Sequence, residues 1–101
     1  MTAMTCSVGD YSLPGYTVLA EGLLLKSDGG VAAVWSPTGY SDDAQASILN
    51  REFYMATFSG GKKVLGDAVL QALGVFKTTA GSMPFMMDVY NILGDPALEL
   101  R

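Results

Sequence analysis

The chain has 101 residues, 50% of them apolar and 16% charged, with six Lys and Arg against ten Asp and Glu for a net charge of -4. That length allows one domain or part of one, and the composition excludes an intrinsically disordered or low-complexity chain. No Lys/Arg cluster is larger than Lys62-Lys63, and the longest uninterrupted aliphatic and aromatic run is residues 31–35, so neither a nucleic-acid partner nor a membrane span is expected.

Residues 1–6 (MTAMTC) contain no turn former and predict a buried strand. Gly9, Asp10, Pro14 and Gly15 make residues 7–16 a loop. From 17 to 26 the pattern is helical, with Thr17 as a cap and Val18, Leu19, Gly22, Leu23 and Leu25 on one broad face, until SDGG at 27–30 ends it. Residues 31–35 (VAAVW) form a continuous apolar run that suits a strand covered on both faces. A turn at 36–40 (SPTGY) leads to Ser41 as an N-cap, with Asp42 and Asp43 in the first turn of a helix reaching about 58. Its stripe is Ala46, Leu49, Phe53 and Ala56.

A third helix is expected from about 63 to 77, with Leu65, Val69, Leu73 and Phe76 inward. Gly66 and Gly74 each cost roughly 1 kcal/mol there relative to Ala, which points to close packing. Residues 78–84 read as a loop, 85–93 as a short helix, 94–96 as a break and 97–100 as a last short strand. The order predicts an α/β plan with a parallel sheet. Two or three strands are few for such a sheet, so the chain reads as the second half of a larger domain. Its apolar content, high for so small a chain, points to surface that meets another polypeptide segment. No basic stretch precedes an apolar one, so no signal peptide is expected.

The chain has one cysteine, Cys6, and no histidine. An intrachain disulfide is impossible, and no Cys–His, Ser–His–Asp or His-ligated metal site can be assembled from these residues alone. Ligands in open α/β sheets bind at the carboxyl ends of strands. If residues 1–6 and 31–35 run side by side in parallel, the Cys6 thiol and the 36–40 loop meet at that edge, where a nucleophile would sit. The opposing interpretation is a small buried hydrophobe. Asp42-Asp43 suits a helix start better than a metal. The Gly60-Gly61-Lys62-Lys63 run lacks phosphate-loop spacing. Glu21 either orients a group near Cys6 or reaches solvent, and Asp95 before Pro96 is a turn former.

Several motifs taken together resemble one family. They are Thr5-Cys6-Ser7 with Gly9, Ala20-Glu21, residues 30–34 leading into Ser36-Pro37-Thr38-Gly39, Asn50-Arg51-Glu52-Phe53-Tyr54, Leu65-Gly66-Asp67-Ala68, and YNILGDPAL at 90–98. The chain is similar to the C-terminal half of the catalytic domain of gingipain-type cysteine peptidases. The resemblance implies, for residues 1–101, a partial caspase-like three-layer sandwich with a parallel sheet flanked by helices. It implies Cys6 as the catalytic nucleophile, with the family's His upstream of Met1. It places Trp35, Ser36, Pro37, Thr38, Gly39 and Tyr40 in one wall of the substrate pocket. It further implies a peptide or protein substrate, no cofactor or metal, a secreted or cell-surface setting, and a partner that is the upstream half of the domain or a second copy. Without that partner, this chain is expected to be inactive. The caspase-related CHAT domains share the Gly-rich strand and the following helix, so a non-catalytic interaction or scaffolding module is the alternative.

Overall fold

The computed structural model describes residues 1–12, 14–79 and 84–100. The elements are α1 (Leu19–Leu25), β1 (Ala33–Pro37), α2 (Asp43–Tyr54) continued by a π-helical turn (Met55–Ser59), α3 (Leu65–Thr79), α4 (Phe85–Val89) and β2 (Tyr90–Gly94). This is an α/β arrangement, as expected. Its sheet differs from the expectation.

The named strands β1 and β2 are antiparallel, from Ala33 opposite Gly94 to Pro37 opposite Tyr90. Residues 1–6 do not form a strand. Only their start lies beside β1, in a parallel bridge between Thr2 and Trp35, with the Trp35 N–H donating to the Met1 carbonyl at 2.9 Å and the Ala3 N–H to the Trp35 carbonyl at 3.0 Å. The chain then bends into a turn before Cys6 can extend the ladder. β1 begins two residues later than the apolar run suggests, because the Val31 N–H is committed to the Leu23 carbonyl at 3.1 Å.

The helix expected over 85–93 ends at Val89, and the strand takes over. Side chains in a strand alternate between faces. Tyr90 and Ile92 join the core, while Asn91 bonds to Thr38 from the other face. That alternation was hidden in what looked like a plain apolar run. β2 ends at Gly94, whose φ is +123° and whose added Cβ would meet Ala33 Cα and the Ala32 carbonyl at 2.9 Å, so a side chain has neither the backbone conformation nor the room. The last expected strand reduces to a bridge between Val64 and Glu99. Of the loop expected at 78–84, residues 80–83 lie outside the described residues, and Thr78 and Thr79 belong to α3.

The apolar stripes of α2 and α3 pack as their periodicity predicts. Ala46, Leu49, Phe53 and Ala56 meet Leu65, Val69, Ala72 and Phe76 over Ala33 and Trp35 of β1. Trp35 sits in the middle, tilted on Phe53 at 5.3 Å and edge-on to Tyr90 at 5.7 Å. Gly66 lies against Pro96, at 3.0 Å from its added Cβ to the carbonyl oxygen, so close packing explains it. Gly74 has nothing within 4 Å, and packing does not explain it.

The helix starts also differ in detail. Val18, not Thr17, is the N-cap of α1, and the Glu21 carboxylate reaches back to accept the Val18 N–H at 3.2 Å, so Glu21 serves its own helix. Asp42 caps α2 by accepting from the Gln45 N–H at 3.0 Å, which frees Ser41 from that task. Asp95 does form a turn, accepting the Ala97 N–H at 2.9 Å.

Candidate active site

Residues 1–3 run parallel to β1, so continuing forward carries the chain past the carboxyl end of that strand. There the Gly9 N–H donates to the Pro37 carbonyl at 2.9 Å and the Ser7 N–H to the Gly39 carbonyl at 3.0 Å. These bonds wrap the Cys6 turn around the segment that leaves β1. Ser7 takes a left-handed conformation, with φ +57°, to make the bend. Gly9 is buried, and a Cβ on it would stand 2.4 Å from Ser36 Oγ. The start of the segment is held from α2, where Thr2 Oγ1 donates to Asn50 Oδ1 and lies equally near Tyr54 Oη, both at 3.3 Å. Two residues of the Asn50–Tyr54 motif thus secure the strip that leads to the cysteine.

Cys6 itself is exposed and free. Its sulfur lies against the backbone of Ser41, donating to the Ser41 carbonyl at 3.2 Å and accepting from the Ser41 N–H at 3.4 Å. The expected meeting of Cys6 with the segment after β1 is therefore present in the geometry. The contact falls on Ser41, one residue beyond the 36–40 loop.

That loop divides in two. Because β1 extends through Pro37, Trp35, Ser36 and Pro37 are strand residues, fully buried by this chain. The expectation placed all three in a pocket wall; in this structure they lie in the strand, and Trp35 borders one of the clefts described below. Thr38, Gly39 and Tyr40 do form the loop. Thr38 Oγ1 donates to the Val89 carbonyl at 3.1 Å, Gly39 has open space where a Cβ would go, and Tyr40 is 68% exposed and stacks on Phe85 at 6.3 Å.

Sequence reasoning missed Ser41 and Tyr90 as neighbours of the cysteine. Ser41 Oγ and Tyr90 Oη are 2.6 Å apart and buried. Burial pushes the Tyr90 hydroxyl above the ordinary phenol value. Its hydrogen bond to Ser41 pulls it partly back, and nearby Cys6 and Asp43 push it the same way as burial. Tyr90 opens the YNILGDPAL motif, and its β-strand alternation with Ile92 was the available sign that it faces inward. Among the described residues no cluster of three or more His, Cys, Asp or Glu is placed to hold a metal. Two clefts of about 190 Å³ each lie around Phe53, Tyr54 and Leu100, and the second is bordered also by Thr2 and Trp35.

A model of peptidase family C25 matches residues 1–101. Comparison with curated proteins found no match. Among solved structures the chain is similar to the Arg-specific cysteine proteinase gingipain R, with a TM-score of 0.88 and 20% identity over 99% of this chain and 25% of that one. It is also similar to the complex of the pro- and mature domains of RgpB from Porphyromonas gingivalis, with a TM-score of 0.83 and 20% identity over 99% of this chain and 26% of that one. The chain thus spans about a quarter of the length of the solved chains it matches. These likenesses establish the fold, and the family match covers every residue: the chain belongs to peptidase family C25, the gingipain-type cysteine peptidases, and corresponds to part of such a domain.

Proposed function

We propose that residues 1–101 are the C-terminal half of a cysteine endopeptidase domain and that Cys6 is its nucleophile. The observation that carries this reading is the position of Cys6: an exposed thiol on a turn just past the carboxyl end of β1, beside the solvent-facing loop of Thr38, Gly39 and Tyr40. Reacting groups in open α/β sheets gather at that end. In the larger domain the segment at 1–3 becomes an inner strand of a mostly parallel, caspase-like sheet, with further strands added on its free side.

The chain has no histidine, so the imidazole comes from the other half of the domain, joined in one chain or supplied by another. That imidazole takes the thiol proton, and the thiolate attacks the carbonyl carbon of a peptide bond. A C–S bond forms, the C–N bond breaks, and the imidazolium returns the proton to the leaving amine. Water then cleaves the thioester, releasing the carboxylate and restoring the thiol. Thr38, Gly39 and Tyr40 contact the residue before the cleaved bond.

Reconstitution tests this reading. Residues 1–101 alone are expected to leave a mixed fluorogenic peptide library uncut. Addition of the preceding half, in one longer chain or in trans, is expected to produce cleavage that Cys6→Ala abolishes. A folded, reconstituted domain whose cleavage survives Cys6→Ala would remove Cys6 from the mechanism.

A further inference from the structure

We propose that Ser41 and Tyr90 are positioning residues for Cys6: the buried contact between their hydroxyls holds the Ser41 backbone N–H on the cysteine sulfur, where it favours the thiolate. The catalytic meaning of this pair rests on Cys6 being the nucleophile, but the geometry stands without it.

The pair joins three parts of the chain. Tyr90 is the first residue of β2, paired with Pro37 across the sheet and packed edge-on against Trp35. Its ring is locked in the core, so its hydroxyl is a fixed point. Ser41 is 3% exposed and turns its own hydroxyl onto that point at 2.6 Å. The Ser41 peptide groups on either side then face the Cys6 sulfur. The residues just before Ser41 are held by other contacts, the Ser7 N–H on the Gly39 carbonyl at 3.0 Å and Tyr40 stacked on Phe85, but none of these bonds the Ser41 side chain. The next residue, Asp42, has its N–H on Met86 Sδ at 3.4 Å, a weak acceptor.

The two contacts at the sulfur respond oppositely to ionisation. The bond from the thiol to the Ser41 carbonyl exists only while the thiol keeps its proton. The bond from the Ser41 N–H becomes charge-assisted once the proton leaves, and such bonds are roughly twice as strong as neutral ones. The titratable side chains on the surrounding segments include Tyr90 on β2, Tyr40 before Ser41, Asp42 and Asp43 at the start of α2, Asp88 on α4, and Asp10 and Tyr11 beyond the Cys6 turn. The Met1 ammonium at the start of the Cys6 segment is held on the Ala33 carbonyl at 2.8 Å, and the other groups named bring no positive charge. Among the described residues the Ser41 backbone N–H is the donor that lies on the sulfur, and the hydroxyl pair fixes its placement.

The test reads the thiol directly. Iodoacetamide alkylation of Cys6 is followed against pH in the unmodified protein, in Tyr90→Phe, in Ser41→Ala and in the double variant, with thermal unfolding measured on each. Both single variants are expected to slow alkylation roughly threefold at a fixed pH near neutrality, with the profile displaced toward higher pH. Tyr90→Phe leaves the Ser41 hydroxyl buried without a partner and lowers stability. Adding Ser41→Ala removes that orphan and restores part of the stability, but leaves the alkylation profile shifted. A purely structural pair would instead show profiles that superimpose on the unmodified protein while only unfolding changes, and that result would overturn the proposal. If Tyr90→Phe fails to fold, Ser41→Ala, which deletes the same contact through a smaller change, decides alone. Peptidase activity that survives Cys6→Ala would sink the nucleophile assignment and leave the alkylation result untouched, so the two failures are distinct.

Discussion

The α2–α3 layer and the segment at residues 1–9 pack on the same strand, β1, by different means. The helical layer is held by side chains: Leu49, Phe53 and Phe76 are buried together over Trp35. The segment at 1–9 contributes no fully buried apolar side chain. It is held by backbone hydrogen bonds from Ala3, Ser7 and Gly9 to Trp35, Gly39 and Pro37. A layer built from burial is rigid and tolerates little loss of volume. A segment held mainly by backbone bonds, with Thr2 on Asn50 and Met4 against the core as its side-chain ties, leaves the Cys6 side chain exposed.

The largest expected effect breaks the helical layer alone. Phe76 is fully buried, and Phe76→Ala should cost about 3–5 kcal/mol, the range for removing a buried aromatic. Denaturant unfolding measures it. Any variant protein that remains folded should alkylate at Cys6 at the unmodified rate, because Phe76 does not belong to the Cys6 segment. A loss below about 1 kcal/mol would mean that α3 can collapse into the space, and that the layer is softer than its packing implies.

The converse change is smaller. Gly9→Ala places a Cβ 2.4 Å from Ser36 Oγ and 3.3 Å from the Pro37 carbonyl oxygen. Ser36 is buried in β1 and has little room to turn away, so the Cys6 turn must lift off. The expected cost is about 1–3 kcal/mol. Amide exchange at Ser7 and Gly9 should quicken while the α2 and α3 amides keep their protection. Uniform loss of protection across the chain would show that the two regions are one cooperative unit.

The same contrast explains what could be read in the sequence. α2 and α3 were legible because burial imposes a 3.6-residue period on Leu49, Phe53, Val69 and Phe76. The approach of Cys6 to the segment after β1 was legible from the rule about strand ends, and the family from motifs such as YNILGDPAL. The strand β2 was not, because Tyr90 and Ile92 alternate inside a run that also fits a helix. Nor was the sharing of the 35–40 stretch between core and loop, since nothing local says that β1 continues through Pro37. Ser41 looked like a cap because Ser before two acids usually is one. Only the arrival of Tyr90 from 49 positions along the chain gives it a different task.

Tyr90 belongs to both regions, which makes its titration the finest probe of how they are joined. Its ring packs on Trp35 in the core and its hydroxyl holds Ser41 beside Cys6. Burial raises its pKa in the folded protein above the unfolded value, with smaller contributions from Cys6 and Asp43 in the same direction. A raised phenol favours the neutral form on folding. Its contribution to stability is therefore fully present below about pH 10, the unfolded phenol value, and is lost as pH rises through the folded one. The unfolding midpoint of the unmodified protein should fall as pH climbs above about 10, beyond the fall in Tyr90→Phe. The exposed phenols of Tyr11, Tyr16, Tyr40 and Tyr54 are present in both proteins, so the difference isolates Tyr90. Two alkaline profiles that run parallel would mean that the buried hydroxyl ionises as freely as an exposed one, and that the junction between core and cysteine is open to water.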